Sequence, residues 1–233
     1  MSTADSPVAL VTGATGGMGA AIVRDLARTH RVIAIARDAQ RLADLIAENP
    51  GAEGWVADLA DTTDLERQIG ALERIDVVAN VAAISRRASV ADATRSEWDA
   101  HFQTNVTAPT LITRAALPQL RRSSGTVIFI GSGAGTRPVP GSAIYTASKH
   151  ALRGIADVLR IDEEPHRVRV ATVSPGQTDT PMLRASTPPE QYTPERYIRP
   201  ESVAAAVRFV VDAPDDVHIT DVPVRPRQEI ARI

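Results

Sequence analysis

The chain contains no cysteine. Disulfides, thiol catalysis and thiolate metal sites are therefore excluded. Its histidines, His30, His101, His150, His166 and His218, show no close ligand spacing, so no metal site is expected. No uninterrupted apolar run approaches the ~20 residues of a membrane-spanning helix. The stretch from Met1 to Pro7 is polar and lacks the apolar core of a signal segment. Neither sign of charge dominates. The formal net charge of −2 offers no general attraction to nucleic acid or to an anionic membrane. Repeats, low-complexity tracts and an interdomain linker are also missing. What remains is the expectation of a cytoplasmic protein that handles a small molecule.

Lysine is the other scarcity. Of 26 lysines and arginines, only Lys149 is lysine. At 149 the chain kept an ammonium, a compact point charge that a wide, forked guanidinium does not replace beside a hydroxyl. Lys149 stands four residues after Tyr145, one of three tyrosines. Positions i and i+4 share a helix face, so the two side chains point the same way. Taken alone, the pair also fits a core tyrosine beside a solvated helix charge.

The rest of the composition is ordinary for a globular protein. Hydrophobic residues make up 43% and charged residues 23% of 233 positions, which fits one large α/β domain. Short β-branched runs alternate with longer amphipathic stretches. The pattern predicts strands at 8–12, 31–36, 54–57, 75–80, 126–130, 168–173 and 217–224. It predicts helices at 17–29, 39–48, 63–72, 96–120, 142–164 and 201–211, with Pro109 and Pro118 expected to kink or break the fourth. Such alternation means βαβ units. The expected fold is a doubly wound parallel sheet of the Rossmann kind, a single domain over 1–233. The segment at about 176–200 breaks the alternation and is rich in proline, threonine and charge. It is expected to be a substrate lid with helical pieces.

Thr12-Gly13-Ala14-Thr15-Gly16-Gly17-Met18-Gly19 follows the first strand and opens the first helix. That is the setting of a dinucleotide fingerprint. Gly13 permits the tight turn, Gly17 lets the backbone approach a pyrophosphate, and Gly19 lets the helix pack on the sheet. The helix N-terminus adds unpaired N–H groups for the phosphates. The whole loop, Thr15 and Met18 included, is the expected cofactor cradle; the alternative is a flexible glycine turn. The second strand ends Ile35-Ala36-Arg37. An acid there would bind ribose hydroxyls and repel a 2′-phosphate. Here Ala36 takes its place and Arg37 follows. A guanidinium suits a phosphate dianion, so NADP(H) is expected over NAD(H).

The glycine loop is spaced Thr-Gly-x-x-x-Gly-x-Gly. Asp58-Leu59 follows the third strand and Asn80-Val81-Ala82-Ala83 the fourth. Asn105 lies in the long helical stretch, and Ser132 stands thirteen residues before Tyr145. Pro175-Gly176-Gln177-Thr178-Asp179-Thr180 follows the sixth strand. With Tyr145-x-x-x-Lys149, this series resembles the short-chain dehydrogenase/reductase family over nearly the whole chain. Val81 and Ala83 depart from that family's Asn-Asn-Ala-Gly element, although Asn80 and Ala82 remain.

The resemblance implies an oxidoreductase that transfers a hydride between NADP(H) and a carbonyl/alcohol substrate. Tyr145 would be the general acid/base, Ser132 would hold the substrate oxygen, and Lys149 would bind the nicotinamide ribose. Asn105 would position a water that links Lys149 to solvent. Asp58 and Leu59 would contact adenine, and Pro175, Gly176, Thr178 and Thr180 the nicotinamide amide. Tyrosine's free pKa of about 10 is too high for proton exchange near neutrality, and a nearby ammonium, with the cationic nicotinamide ring of the oxidised cofactor, should lower it. Plainer roles fit some of these residues: a turn for Ser132, a helix bend for Asn105, and caps for Asp58 and Thr180. Two other functions stay open: an epimerase or dehydratase of the extended branch, and a non-enzymatic NADPH-sensing regulator. Chain length and fingerprint spacing argue against the first. The Tyr-x-x-x-Lys pair, which such regulators typically lack, argues against the second. Arg86, Arg87, Arg121 and Arg122 read as solvated; for Arg86, just past the fourth strand, contact with a substrate anion is the alternative. Apolar residues beyond one face of the 142–164 helix suggest a homo-oligomer, a tetramer by resemblance or else a dimer.

Overall fold

The computed structural model describes residues 6–228 and 230. Most of the polar Met1 to Pro7 stretch, and the ends of the expected 1–233 domain, lie outside the described residues. Strands β1 (Val8–Thr12), β2 (Arg31–Ala36), β3 (Ala52–Val56), β4 (Val77–Asn80), β5 (Thr126–Ile130), β6 (Arg169–Pro175) and β7 (Asp221–Val224) form one sheet. Its order is β3-β2-β1-β4-β5-β6-β7, with every pairing parallel. β1, β4 and β5 are buried at every position. A strand with no polar face belongs in the middle of a sheet covered on both sides. β7 alternates exposed and half-buried residues, as suits an edge.

The helices are α1 (Gly17–Leu26), α2 (Ala39–Ala47), α3 (Thr63–Gly70), α4 (Arg95–Phe102), α5 (Ala108–Ser123), α6 (Ala143–Asp162), α7 (Pro181–Ser186) and α8 (Pro200–Val211). Ile22, Leu26, Val203 and Val207 anchor α1 and α8 in the core on one face of the sheet. Leu65, Ile112, Leu120 and Leu152 anchor α3, α5 and α6 in the core on the other. The winding reverses between β1 and β4. A crevice opens there at the carboxyl ends of the strands, the usual ligand position in such sheets. Among the described residues no helix is long and apolar enough to cross a membrane.

Several element ends shift by one or two residues, and three elements differ more from the sequence reading. α1 stops at Leu26 because the Thr29 and His30 N–H groups both turn back to the Leu26 carbonyl. β7 is shorter than 217–224, since its ladder with β6 begins at Asp221. The long helical stretch is α4, a π-turn at Gln103–Thr107, then α5. Pro109 sits in the first turn of α5, where its missing N–H costs little. Pro118 lies inside α5 without ending it. One helical hydrogen bond is lost, but Ala116 and Leu120 on either side are wholly buried, and that packing holds the line.

Candidate active site

The glycine loop and the turn after β4 are built against each other. Gly13 has φ of +64°, and a Cβ there would stand 2.7 Å from the Ala82 Cα. Thr12 Oγ1 accepts hydrogen bonds from the Val81 and Ala82 N–H groups, at 3.0 and 3.2 Å. A Cβ on Gly19 would lie 2.1 Å from the Gly13 carbonyl oxygen. On Gly17 it would meet Thr180 Cγ2 at 2.8 Å. The loop therefore abuts the start of the 176–200 segment as well as the tips of the central strands. Asn80 lies behind this wall; its Nδ2 donates to Thr113 Oγ1 at 3.0 Å, and its buried Oδ1 has no partner among the described residues.

α6 presents Tyr145 and Lys149 on one face, and both line the same cleft as the glycine loop. Lys149 is 3% exposed, and its Nζ donates to the Ile130 carbonyl at 2.8 Å. Burial disfavours the ammonium and lowers its pKa to about 8. The Nζ stands 5.8 Å from the centroid of the Tyr145 ring. Burial pushes the Tyr145 phenol above its usual value, and a hydrogen bond with Ser132 opposes that shift. The lowering expected from the ammonium together with the cationic nicotinamide ring calls for that ring; in the protein alone the ammonium is turned to Ile130 and desolvation dominates. Ser132 is also a turn residue, accepting from the Ala134 N–H at 3.1 Å.

Asn105 falls within the π-turn and is 1% exposed. Single π-turns inside helices are frequent at functional sites. Its Oδ1 accepts from the Ile84 N–H at 2.8 Å, and its Nδ2 donates to the Ile84 carbonyl at 2.9 Å and to Ser148 Oγ at 3.1 Å. The side chain thus ties the segment after β4 to the residue next to Lys149. Pro109, four residues on, has no N–H to offer the Asn105 carbonyl. His101 assists: its Nε2 accepts from the Arg86 N–H at 3.2 Å. Arg86 itself pairs with Glu97 at 2.8 Å and stays largely exposed, in line with its reading as a solvated residue. Arg121 is not merely solvated; it holds the buried Glu163 at 2.7 Å.

At the opposite end the cleft is walled by Arg37, Asp58 and Leu59. Arg41 joins them, its Nη2 donating to the Thr15 carbonyl at 2.6 Å. Sequence reasoning missed Arg41; its signal was the four-residue step from Arg37 into α2. Asp38, the acid nearest the end of β2, caps α2 by accepting from the Arg41 N–H at 3.0 Å. Asp58 does not cap α3. It closes a turn by accepting from the Ala60 N–H at 2.9 Å.

Thr180, Pro181 and Met182 complete the cleft, whereas Pro175 and Thr178 are buried behind it and Gly176 packs under Pro226. Thr180 caps α7, its Oγ1 accepting from the Leu183 N–H at 3.3 Å. The base of the segment is closed by a parallel bridge between Thr178 and Ile198. Beyond it Asp179 accepts from the Tyr192 hydroxyl and pairs with Arg184 at 3.3 Å.

A long cleft across the carboxyl ends of a doubly wound sheet, with a phosphate cradle at its centre and titratable groups at one end, puts the protein in the class of dinucleotide-dependent oxidoreductases. The sequence pattern of the short chain dehydrogenase family matches residues 7–191. The chain belongs to that family. An uncharacterised short-chain type dehydrogenase/reductase of Sinorhizobium fredii is 33% identical, over 96% of this chain and 92% of its own length. The closed form of serine dehydrogenase with NADP+ superposes with a TM-score of 0.89 at 29% identity, covering 97% of this chain and 98% of that one. A single-residue variant of the actinorhodin polyketide ketoreductase, with NADPH, superposes with a TM-score of 0.87 at 28% identity, covering 97% and 98%.

Proposed function

We propose that this protein interconverts an alcohol and its carbonyl compound using NADP(H). The observation that carries the reading is the Tyr145–Lys149 pair, Lys149 buried and Tyr145 half-buried against Ser132, at one end of the glycine-loop cleft. Two structural neighbours, a serine dehydrogenase and a polyketide ketoreductase, are solved with NADP+ or NADPH, and both names describe alcohol/carbonyl chemistry. The residues here fit that dinucleotide. The Gly13–Gly19 loop offers backbone to a pyrophosphate, two guanidinium groups flank the far end of the cleft, and Asp38 is turned away into its cap.

The nicotinamide supplies or accepts the hydride. The protein does the rest. Thr15, Met18 and the loop glycines hold the phosphates; Arg37 and Arg41 hold the 2′-phosphate; Asp58 and Leu59 flank the adenine. Ser132 holds the substrate oxygen while Tyr145 gives it a proton in reduction and removes one in oxidation. Lys149, which donates to Ile130 here, would hold the ribose hydroxyls of a bound cofactor, and its ammonium would favour tyrosinate. Asn105 acts through its main-chain carbonyl, which holds the relay water, because its side chain is committed to Ile84 and Ser148. Asn80 and Ala82 set the turn under the cradle. Pro175, Gly176 and Thr178 support Thr180 against the nicotinamide amide. NADPH oxidation with a panel of simple ketones and diketones tests the reading; tight NADPH binding with no turnover of any of them would favour a cofactor-sensing regulator.

Arg37→Ala and Arg41→Ala should each weaken NADPH binding about 10–100-fold, the scale of a charge-assisted hydrogen bond, and leave NADH binding nearly unchanged. Fluorescence titration of both cofactors checks this; tighter NADH than NADPH binding in the wild type would refute the preference.

We further propose a homo-oligomer. Val158 and Ile161 on α6 are 58% and 71% exposed, and Phe209 on α8 is 61% exposed. These apolar residues face away from both cores, and symmetric association would cover them. Light scattering at micromolar concentration should show a dimer or tetramer; a monomeric mass would refute it.

A further inference from the structure

The chain after β4 forms part of the cleft, because Ile84 shares its wall with Tyr145 and Lys149. Residues 84–88 belong to no strand or helix, so their backbone groups need partners from elsewhere. Asn105 meets Ile84 twice, accepting from its N–H at 2.8 Å and donating to its carbonyl at 2.9 Å. His101, four residues earlier at the end of α4, accepts from the Arg86 N–H through Nε2 at 3.2 Å. The Ala88 carbonyl accepts from the Ala143 N–H at 3.0 Å, at the start of α6 and two residues before Tyr145. The wall is therefore pinned at its two ends by Asn105 and Ala143 and in the middle by His101. The imidazole has no other arrangement open to it. It is 2% exposed, and its Nδ1 stands 2.8 Å from the Glu97 carbonyl. A carbonyl only accepts, so Nδ1 carries the hydrogen and Nε2 is left as the acceptor. The Glu97 carboxylate closes the capping box of α4 and pairs with the Arg86 side chain, which binds the same segment from outside.

We infer that His101 is a positioning residue for the proposed reaction: by holding the Arg86 main chain it sets the cleft wall at Ile84 relative to Tyr145. The inference rests on the oxidoreductase reading above. His101 does not itself line the cleft, so it acts through the 84–88 segment and touches neither substrate nor cofactor. The wall and the general acid/base are tied by one series of hydrogen bonds. Asn105 Nδ2 donates to Ser148 Oγ at 3.1 Å, and Ser148 Oγ donates to the Tyr145 carbonyl at 2.8 Å. Without the imidazole the Arg86 N–H loses its acceptor and the segment has to shift toward water to regain one. The end pins remain, so the fold survives while the wall slackens between them. A reacting centre held about 1 Å out of place can cost about 10²-fold in rate.

The test compares His101→Leu, which removes the acceptor, with His101→Gln, whose Oε1 can stand where Nε2 does and accept the same N–H. Steady-state reduction of a carbonyl compound that the wild type turns over is measured beside NADPH titration. In the leucine variant kcat/KM should fall about 10–100-fold, mostly through KM, with NADPH affinity and binding capacity unchanged. Glutamine should restore most of the loss. A role in stability alone has another signature: a partly unfolded sample loses binding capacity and apparent kcat together and keeps its KM. A folded His101→Leu protein with wild-type KM overturns the inference, as does a glutamine variant as impaired as the leucine one. Should neither variant fold, hydrogen exchange of the wild type decides. The Arg86 amide should exchange slowly, and more slowly still with NADPH and the alcohol product bound, a pair that cannot react. Exchange at the rate of an open chain, or unchanged by that pair, overturns the inference. Wild-type turnover that is lost in Tyr145→Phe upholds the oxidoreductase reading whatever His101 does. No turnover of any alcohol or ketone with NADP(H) sinks both.

Discussion

Lys149→Arg should lower turnover by about 10²–10⁴-fold, the usual worth of general acid–base help, while the fold survives. Charge is retained in this variant, so a purely electrostatic role would tolerate it. The slot is the obstacle. Lys149 is 3% exposed with Nζ 2.8 Å from the Ile130 carbonyl, and a planar guanidinium neither fits there nor releases its proton. Tyr145→Phe should lose at least as much, and the double variant little more, because the two act as a unit. Lys149→Met adds a signature that a structural lysine would not show. Burial lowers the folded-state pKa from 10.5 to about 8. Below about pH 8 the ammonium is present in both states and costs the folded one on the order of 3 kcal/mol. Between pH 8 and 10.5 the unfolded chain binds more protons, so wild-type stability rises with pH and the penalty fades. Lys149→Met should therefore be inactive, no less stable than wild type at pH 7, and without this rise. Steady-state turnover beside thermal melts at pH 7 and 10 decides; near-normal turnover in Lys149→Arg would make the lone lysine an accident of composition.

Gly19→Ala should cost about 1–3 kcal/mol of stability and abolish measurable NADPH binding. The new Cβ would lie 2.1 Å from the Gly13 carbonyl oxygen and 3.0 Å from the Ala14 Cα. Both are backbone and cannot swing aside. Relief requires moving the turn that holds the phosphates, so stability and binding fall together. Gly154 in α6 is the control, because a Cβ there meets nothing within 4 Å. Gly154→Ala should stabilise by roughly 0.5–1 kcal/mol, the ordinary gain of alanine in a helix. Thermal melts and cofactor titration of both variants check this; a Gly19→Ala protein that binds NADPH normally would break the account of the loop.

The strands were legible because the central ones are mostly apolar runs, which leaves a signal that survives without any partner in view. The glycine loop and the Tyr145–Lys149 pair were legible because their parts are neighbours in the chain. What failed depended on distance in space. The π-turn at Gln103–Thr107 shifts hydrogen bonding by one residue, and the apolar period does not register that. Pro109 looked like a breaker because a sequence does not say that a new helix starts there. The partner of Arg86 was not visible either, because Glu97, eleven residues on, is brought to it by a turn and a helix. Arg41 looked like any solvated helix arginine. The rise in the Tyr145 pKa was hidden for the same reason: the lysine is visible in the chain, and the burial that outweighs it is not.

The scarcity of lysine has a practical side. Amine-directed reagents, from acylating dyes to coupling resins, find one side-chain target in this protein, and it stands in the wall of the cleft. Near pH 8 about half of that amine is unprotonated and nucleophilic. A mass added at Lys149, told apart from one on the α-amino group by peptide mapping, would then report an open cleft, and its suppression by a bound molecule would report occupancy. Immobilisation through lysine would block the cleft itself. With no thiol as a second handle, attachment to a surface has to go through arginine, carboxylate or an added tag.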